Sequence, residues 1–355
     1  MARVGGPREV TGTEPQKLFE LPPPMLVATT NNTPGRPPFV VSRGRRRRVV
    51  GRPRAASLTY TSHEVGTDLD RDVRSRAQTR PSLALRAALV RQGNSWDICL
   101  NQTNTRLLVD PWLVGSLTFG GLNAIYEGKK KVFGRNEPVD LDAIVRSTDA
   151  ILLTMSIDDH CHRPTLQALV ERRPDVPVVA SPSAAALARS LGFTNVTSLD
   201  WAEEKEADLG NVTVRATAGA LVGPPWSKRE AGFVVREKDG GASLYYEPHC
   251  DFDANSVRQV GTVDLVVSPP NTQSLLGYDL VKGNTDNVAL LSLLKPKTVI
   301  ALMNAEFIGT GPLADLITER GGPEALKEQI RAAQDVDSDI EVVVPKSGEP
   351  LTLTV

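Results

Sequence analysis

Residues 154–162 of this 355-residue chain read TMSIDDHCH, and residues 247–253 read EPHCDFD. The first stretch has the density of carboxylates and imidazoles that a divalent cation requires. Asp159 and His160 are adjacent, and His162 offers a second ring or a hydrogen-bond partner two residues on. In the second stretch, Glu247 and His249 flank Pro248 and alternate along a strand end, so both side chains can face one cleft. Brought together, Asp159, His160, Glu247 and His249 supply two imidazoles and two carboxylates, enough to hold one ion that acidifies a water. Asp159 and His249 are the candidate catalytic groups, with His249 passing a proton. The chain has four histidines (His63, His160, His162 and His249), so a centre of five or six imidazoles is excluded. An oxygen-rich set of this kind suits Mn or Fe as well as Zn.

Each of these residues also has a purely structural reading. Asp159 could cap a helix starting near Pro164, with His160 bonded to it. Glu247 and His249 suit a surface ion pair. Cys161 and Cys250 each sit beside a candidate histidine, either as thiolate donors or as buried inert side chains. Metal-free acid/base chemistry on a small metabolite is a third option. The expected partner is a small-molecule substrate or ligand.

Such a site needs strand ends to position it. SWDICLN and TRLLVD, separated by QTN, predict a β-hairpin. AILLTM predicts a buried strand ending at the acid–imidazole loop, and RPTLQALVERR a helix with Pro164 in its first turn. VPVVAS reads as a strand, and PSAAALARSLG as a helix closed by Gly192. NVTVRATA, AGFVVRE and SLYYEP predict a meander of three strands ending at Glu247. VDLVVS, TDNVALLSLL and KTVIAL alternate strand, helix, strand. GPLADLI and PEALKEQIRAAQ predict helices, and LTLTV a last strand. NTQSLLGYDLVKGN reads as a loop, as does GPPW at 223–226. A doubly wound dinucleotide fold is disfavoured, because no glycine fingerprint follows the first strand. The pattern favours an α/β architecture with two mixed sheets between outer helices.

In this order of segments the chain resembles the metallo-β-lactamase superfamily, and more particularly its lactonase-like branch, from about Gly93 to the C-terminus. The resemblance implies a four-layer αβ/βα sandwich of two mixed β-sheets flanked by helices. ILLTMSIDDHCH takes the place of the family's His-x-His-x-Asp-His loop. Met155 and Ile157 then stand where two histidines belong, while Asp159 and His160 are retained. Asp110 falls at the Asp-Pro that ends the opening hairpin. Ala220 in ATAGALVGPP and Asn304 in ALMNAEF take the places of further histidines, and Glu247 that of a bridging carboxylate. This implies an atypical metal-dependent hydrolase of an ester, lactone or phosphoester, with at most a mononuclear site (Zn, Mn or Fe). The alternative is a catalytically degenerate binding or scaffolding protein that keeps the fold without metal.

A net charge of −1 gives no electrostatic ground for a nucleic-acid partner. No apolar run approaches the roughly 20 residues of a membrane span. Three widely spaced cysteines argue against a disulfide framework. The first 62 residues differ in texture: no acidic residue lies between Glu20 and Glu64, and seven arginines fall between Arg43 and Arg54. That composition predicts a disordered transit peptide over 1–62, for the chloroplast ahead of the mitochondrion. A charged linker over 63–88 and the folded domain over 89–355 complete the expected organisation.

Overall fold

The computed structural model describes residues 84–100, 102–131, 139–223, 226–303 and 307–354, with side chains from Gly93 to Leu353. The expected transit peptide, most of the expected linker, His63, Pro224, Pro225 and Asn304 lie outside these residues. The first strand, β1 (Ala84–Gln92), begins inside the stretch expected to be linker, because two partner strands take up its backbone hydrogen bonds.

In the first half of the chain, β1 is followed by β2 (Ser95–Leu100), β3 (Thr105–Val109), β4 (Glu127–Lys130), α1 (Leu141–Ser147) and β5 (Ala150–Leu153). Next come α2 (Arg163–Val170), β6 (Val178–Ala180), α3 (Pro182–Leu191), β7 (Val196–Ser198) and β8 (Glu206–Asp208). The second half opens with β9 (Val212–Ala218), β10 (Ala231–Glu237), β11 (Ser243–Tyr246), α4 (Ala254–Arg258) and β12 (Leu265–Ser268). It continues with β13 (Asn271–Leu275), β14 (Tyr278–Lys282), α5 (Gly283–Leu294), β15 (Thr298–Ala301) and β16 (Phe307–Thr310). It closes with β17 (Ile317–Gly321), α6 (Pro323–Ala332), β18 (Glu341–Val343) and β19 (Leu351–Thr354).

Two seven-stranded sheets result, in the orders β19-β1-β2-β3-β5-β6-β7 and β18-β15-β12-β11-β10-β9-β8. Each is antiparallel in one half and parallel in the other. The switch falls at β3 against β5 in the first sheet and at β11 against β12 in the second. The parallel halves need helical crossovers, and α1 to α6 supply them, one between each parallel pair.

Strand alternation assigns the layers. Ile98, Leu107 and Leu152 of the first sheet meet Val214, Phe233 and Val267 of the second in one core. Their neighbours Leu108, Ile151 and Val178 point the other way, against Ile144, Leu166 and Ala184 of α1–α3. Val234, Tyr245 and Val266 do the same on the far side, against Leu290 and Leu326 of α5 and α6. This is the four-layer sandwich, two sheets inside and helices outside.

Two segments depart from expectation. NTQSLLGYDLVKGN forms the hairpin β13–β14, joined by β17 into a small third sheet. GPLADLI gives a 3-10 turn at Ala314–Leu316 and then β17 rather than a helix, because β13 offers an open edge for pairing. No helix among the described residues is long and apolar enough to cross a membrane.

Candidate metal centre

β3 and β5 run parallel, so both deliver their carboxyl ends to one edge of the first sheet. Asp110 leaves β3 there, and Thr154 leaves β5. Asp110 adopts φ 41°, a left-handed conformation uncommon outside glycine, and it is completely buried. Its carboxylate accounts for the position. Oδ1 accepts from the Thr154 amide at 2.9 Å, and Oδ2 accepts from the Thr154 hydroxyl at 2.6 Å. Oδ2 also lies 2.7 Å from His160 Nδ1 and 3.3 Å from the Tyr246 hydroxyl. Asp110 thus orients the His160 ring and leaves Nε2 as the working nitrogen.

From the second sheet, β11 delivers Tyr246, whose hydroxyl crosses to the backbone oxygen of Asn94 at 2.9 Å. The turn that follows brings His249 over His160, with ring centroids 5.0 Å apart. Asp159, His160 and His249 each offer a donor atom within 4.8 Å of the other two. The loops are pinned from behind by Asp251. Its carboxylate accepts from the Leu221 amide at 3.1 Å and pairs with Arg229 at 2.9 Å and Lys282 at 3.1 Å.

The electrostatics favour a cation in this spot. Burial pulls the His160 pKa down, but Asp159 and Asp110 outweigh it and push it up to about 10. Burial raises the Asp159 pKa, yet His160 and His249 more than offset this and hold it below the usual carboxylate range. Burial, helped by His160, lowers His249 to about 3, so it is neutral and able to ligate. Asp159 Oδ1 and His249 Nδ1 are buried with no hydrogen-bond partner. Buried polar atoms without a partner are what an ion would satisfy. Donors bonded to one ion at about 2 Å lie no more than roughly 4 Å apart, so the observed spacing needs only a small closing movement. The three side chains therefore fit one ion.

Glu247, expected among the ligands, is not in this group of donors. The chain turns after Pro248, with Cys250 at φ 51°. Glu247 Oε2 consequently accepts from the backbone amides of His249 at 3.2 Å and Asp251 at 2.9 Å. Burial pushes its pKa up to about 8, which leaves it a neutral acid near pH 7.

His162 is also engaged elsewhere. Its Nδ1 accepts from the Thr165 hydroxyl at 2.9 Å, and its Nε2 bonds the Ser116 carbonyl at 3.1 Å. Asp159 does not cap α2; His162 occupies the N-cap position, with no side-chain cap bond. Cys161 and Cys250 are buried thiols whose pKa burial raises. Cys161 packs in the helix-side core, and Cys250 bonds Asn287 Oδ1 at 3.5 Å. Met155 is fully buried, and neither it nor Ile157 offers a hard donor.

Two residues of the site escape a reading by ligand type. Asp110 sits far from the acid–imidazole loop in sequence, and its Asp-Pro setting suggests only a turn. Asn94 lies 2.9 Å from His160 Nε2 through its carboxamide nitrogen, and 3.4 Å from Asp159 Oδ2. The signal that could have found Asp110 is its place at the end of a strand parallel to β5.

Beside the cluster a cavity of about 310 Å³ opens, walled by apolar side chains that include Trp112, Phe119, Leu221, Val281 and Phe307. Asp159 and His249 form part of its floor.

Solved structures similar to this one share its fold at low identity. A possible metal-dependent hydrolase from Veillonella parvula superposes with a TM-score of 0.52 at 16% identity, over 76% of this chain and 99% of its own. An isothiocyanate hydrolase from Delia radicum gut bacteria gives 0.51 at 18%, over 77% and 100%. A diiron β-hydroxylase from Streptomyces venezuelae gives 0.52 at 16%, over 78% of this chain but 55% of its own. No curated protein matches the chain by sequence. The pattern of the Beta-lactamase superfamily domain matches residues 92–303, more than half of the chain. The chain belongs to the β-lactamase superfamily, with the metallo-β-lactamase fold.

Proposed function

We propose that this protein is a metal-dependent hydrolase with a mononuclear centre held by Asp159, His160 and His249. One observation carries the reading: Asp159, His160 and His249, from loops of two different sheets, offer donor atoms within 4.8 Å of one another, and Asp159 Oδ1 and His249 Nδ1 are buried without a hydrogen-bond partner. When bound, a divalent ion supplies Lewis acidity toward a carbonyl or phosphoryl oxygen and lowers the pKa of a water. Two imidazoles and one carboxylate suit Zn, Mn or Fe. Asp110 keeps His160 in the Nδ1–H form, so that Nε2 carries the lone pair, and an ion there displaces the Asn94 carboxamide that contacts Nε2 at 2.9 Å. Glu247, neutral and one turn away, is suited to giving a proton rather than holding an ion.

A second reading has its own support. Without metal, a proton on His160 already balances Asp159 and Asp110, which suits a ligand-binding protein that keeps the fold. Element analysis of the purified protein separates the two. Near-stoichiometric Zn, Mn or Fe that is lost in His160→Ala supports the hydrolase. Metal-free protein after expression with each ion supplied rejects it.

A further inference from the structure

Among the described residues, the large apolar side chains left exposed are concentrated on one face. Tyr278 and Leu280 line the cavity mouth itself. Leu276, Ile308, Leu316 and Ile125 are the chain neighbours of the lining residues Leu275, Phe307, Ile317 and Tyr126. Backbone pairing joins these segments into one surface. Leu275 stands opposite both Tyr278 and Ile317 across β13. Phe307, Leu313 and Ile317 pack on the cluster of Trp112 and Tyr126, and the Leu313 amide donates to the Ile125 carbonyl at 3.2 Å. Large apolar side chains carry roughly 150–250 Å² each, so these six, about half exposed, leave on the order of 600 Å² of apolar surface. That is the upper end for a free monomer, whose largest apolar patch is of order 300–600 Å². It matches what one partner of a homodimer gives, about 65% apolar in roughly 800 Å².

Leu276 shows that this surface is used. It is 79% exposed, and with Gly277 it forms the two-residue turn of the β13–β14 hairpin, at φ 52° and 84°. Such a turn needs positive φ at both residues, which asparagine and glycine accept and a leucine side chain resists. Its own chain neither covers this side chain nor gains turn geometry from it, so contact with a partner accounts for it.

Charge selects the partner. The elements that carry the patch (β4, β13, β14, β16, β17 and the turn at 314–316) hold four acidic and four basic side chains. Among them are the pairs Glu127–Lys129 at 3.1 Å and Asp279–Arg320 at 2.8 Å. A face without net charge has no pull on an anionic membrane or a polyanion, and it does not repel its own copy. β14 is also an outer strand of the third sheet, paired among the described residues with β13 alone, so a twofold axis can bring two such edges together. We propose that this face joins two copies of the chain about a twofold axis. The β13–β14 hairpins lie at its centre, and each copy covers the other's cavity mouth.

Sedimentation of the full chain from about 1 to 100 µM tests this, with a dimer expected across most of that range. Leu276→Asn puts a favoured turn residue at that φ, so it should keep or raise thermal stability while weakening the dimer about tenfold or more. Leu280→Lys should weaken it as well, by setting like charges near one axis. Val344→Lys, at an exposed apolar residue beyond β18, should leave it unchanged. A chain still monomeric at about 100 µM overturns the proposal. So does a dimer whose affinity neither Leu276→Asn nor Leu280→Lys changes. Flotation with phosphatidylcholine vesicles is the second arm, and no binding is expected. A monomeric chain that floats with the vesicles assigns the face to lipid and overturns the proposal.

Discussion

Asp110 Oδ2 and His160 Nδ1 lie 2.7 Å apart, and both side chains are fully buried, although 50 residues separate them in the chain. The contact exists because β3 and β5 are parallel neighbours whose carboxyl ends open on the same edge. Asp110 spends its other contacts on Thr154 and Tyr246, so the pair is fixed from three strands.

Replacing that carboxylate should therefore act through His160. Asp110→Asn is expected to weaken metal affinity by about 10- to 100-fold. Chelator competition measures this, with circular dichroism to confirm that the fold persists. Unchanged affinity would make Asp110 a packing residue only.

The ligand set makes a contrast between two neighbours. His249→Ala should abolish bound metal, whereas Glu247→Gln should keep it, because Glu247 faces the amides of its own turn. Element analysis of both variants decides. Metal lost equally from both would return Glu247 to the ligand sphere.

His162 links stability to pH. Burial, aided by Lys130, holds its pKa down at about 4, whereas an unfolded imidazole takes a proton near 6.5. Between those values the unfolded chain binds more protons, so stability falls as pH drops from about 6.5 toward 4. The contribution of this residue is about 1–3 kcal/mol across that window. Urea unfolding at pH 7 and pH 4.5 should show a larger loss in the native protein than in His162→Gln. Equal losses would exclude His162 as the source.

Gly283 opens α5 against the turn that follows β12. A Cβ there would collide with the Pro269 carbonyl oxygen and lie 2.8 Å from the Asn271 oxygen. Gly283→Ala is expected to cost about 3 kcal/mol, read as a lowered denaturation midpoint.

Fusion of residues 1–62 to a fluorescent protein should direct it to plastids, on the strength of the arginine-rich stretch after Glu20, which holds no acidic residue. A diffuse signal would reject that address.

Much of the scaffold was legible because periodicity reports directly on burial. The opening hairpin, the meander over β9–β11 and the helices α2, α3, α5 and α6 stand where alternation or helical spacing places them. The β13–β14 hairpin escaped because its apolar residues Leu276, Tyr278 and Leu280 are exposed rather than alternating into a core. The helix expected over GPLADLI gave way to pairing with β13, a long-range partner that no local pattern encodes.

By itself the sequence determined which donors the protein owns: one acid–imidazole pair after β5, one acid and one imidazole after β11, and no histidine at positions 155 and 157. Only the tertiary structure decided how they are used. His249 points to Asp159 and His160, while Glu247, two residues away, curls back onto backbone amides. Asp110, silent as a motif, becomes the group that orients His160. The physical reason is that a donor's role depends on where its strand ends and which partners surround it. Those partners come from other strands, brought close only when the two sheets pack face to face.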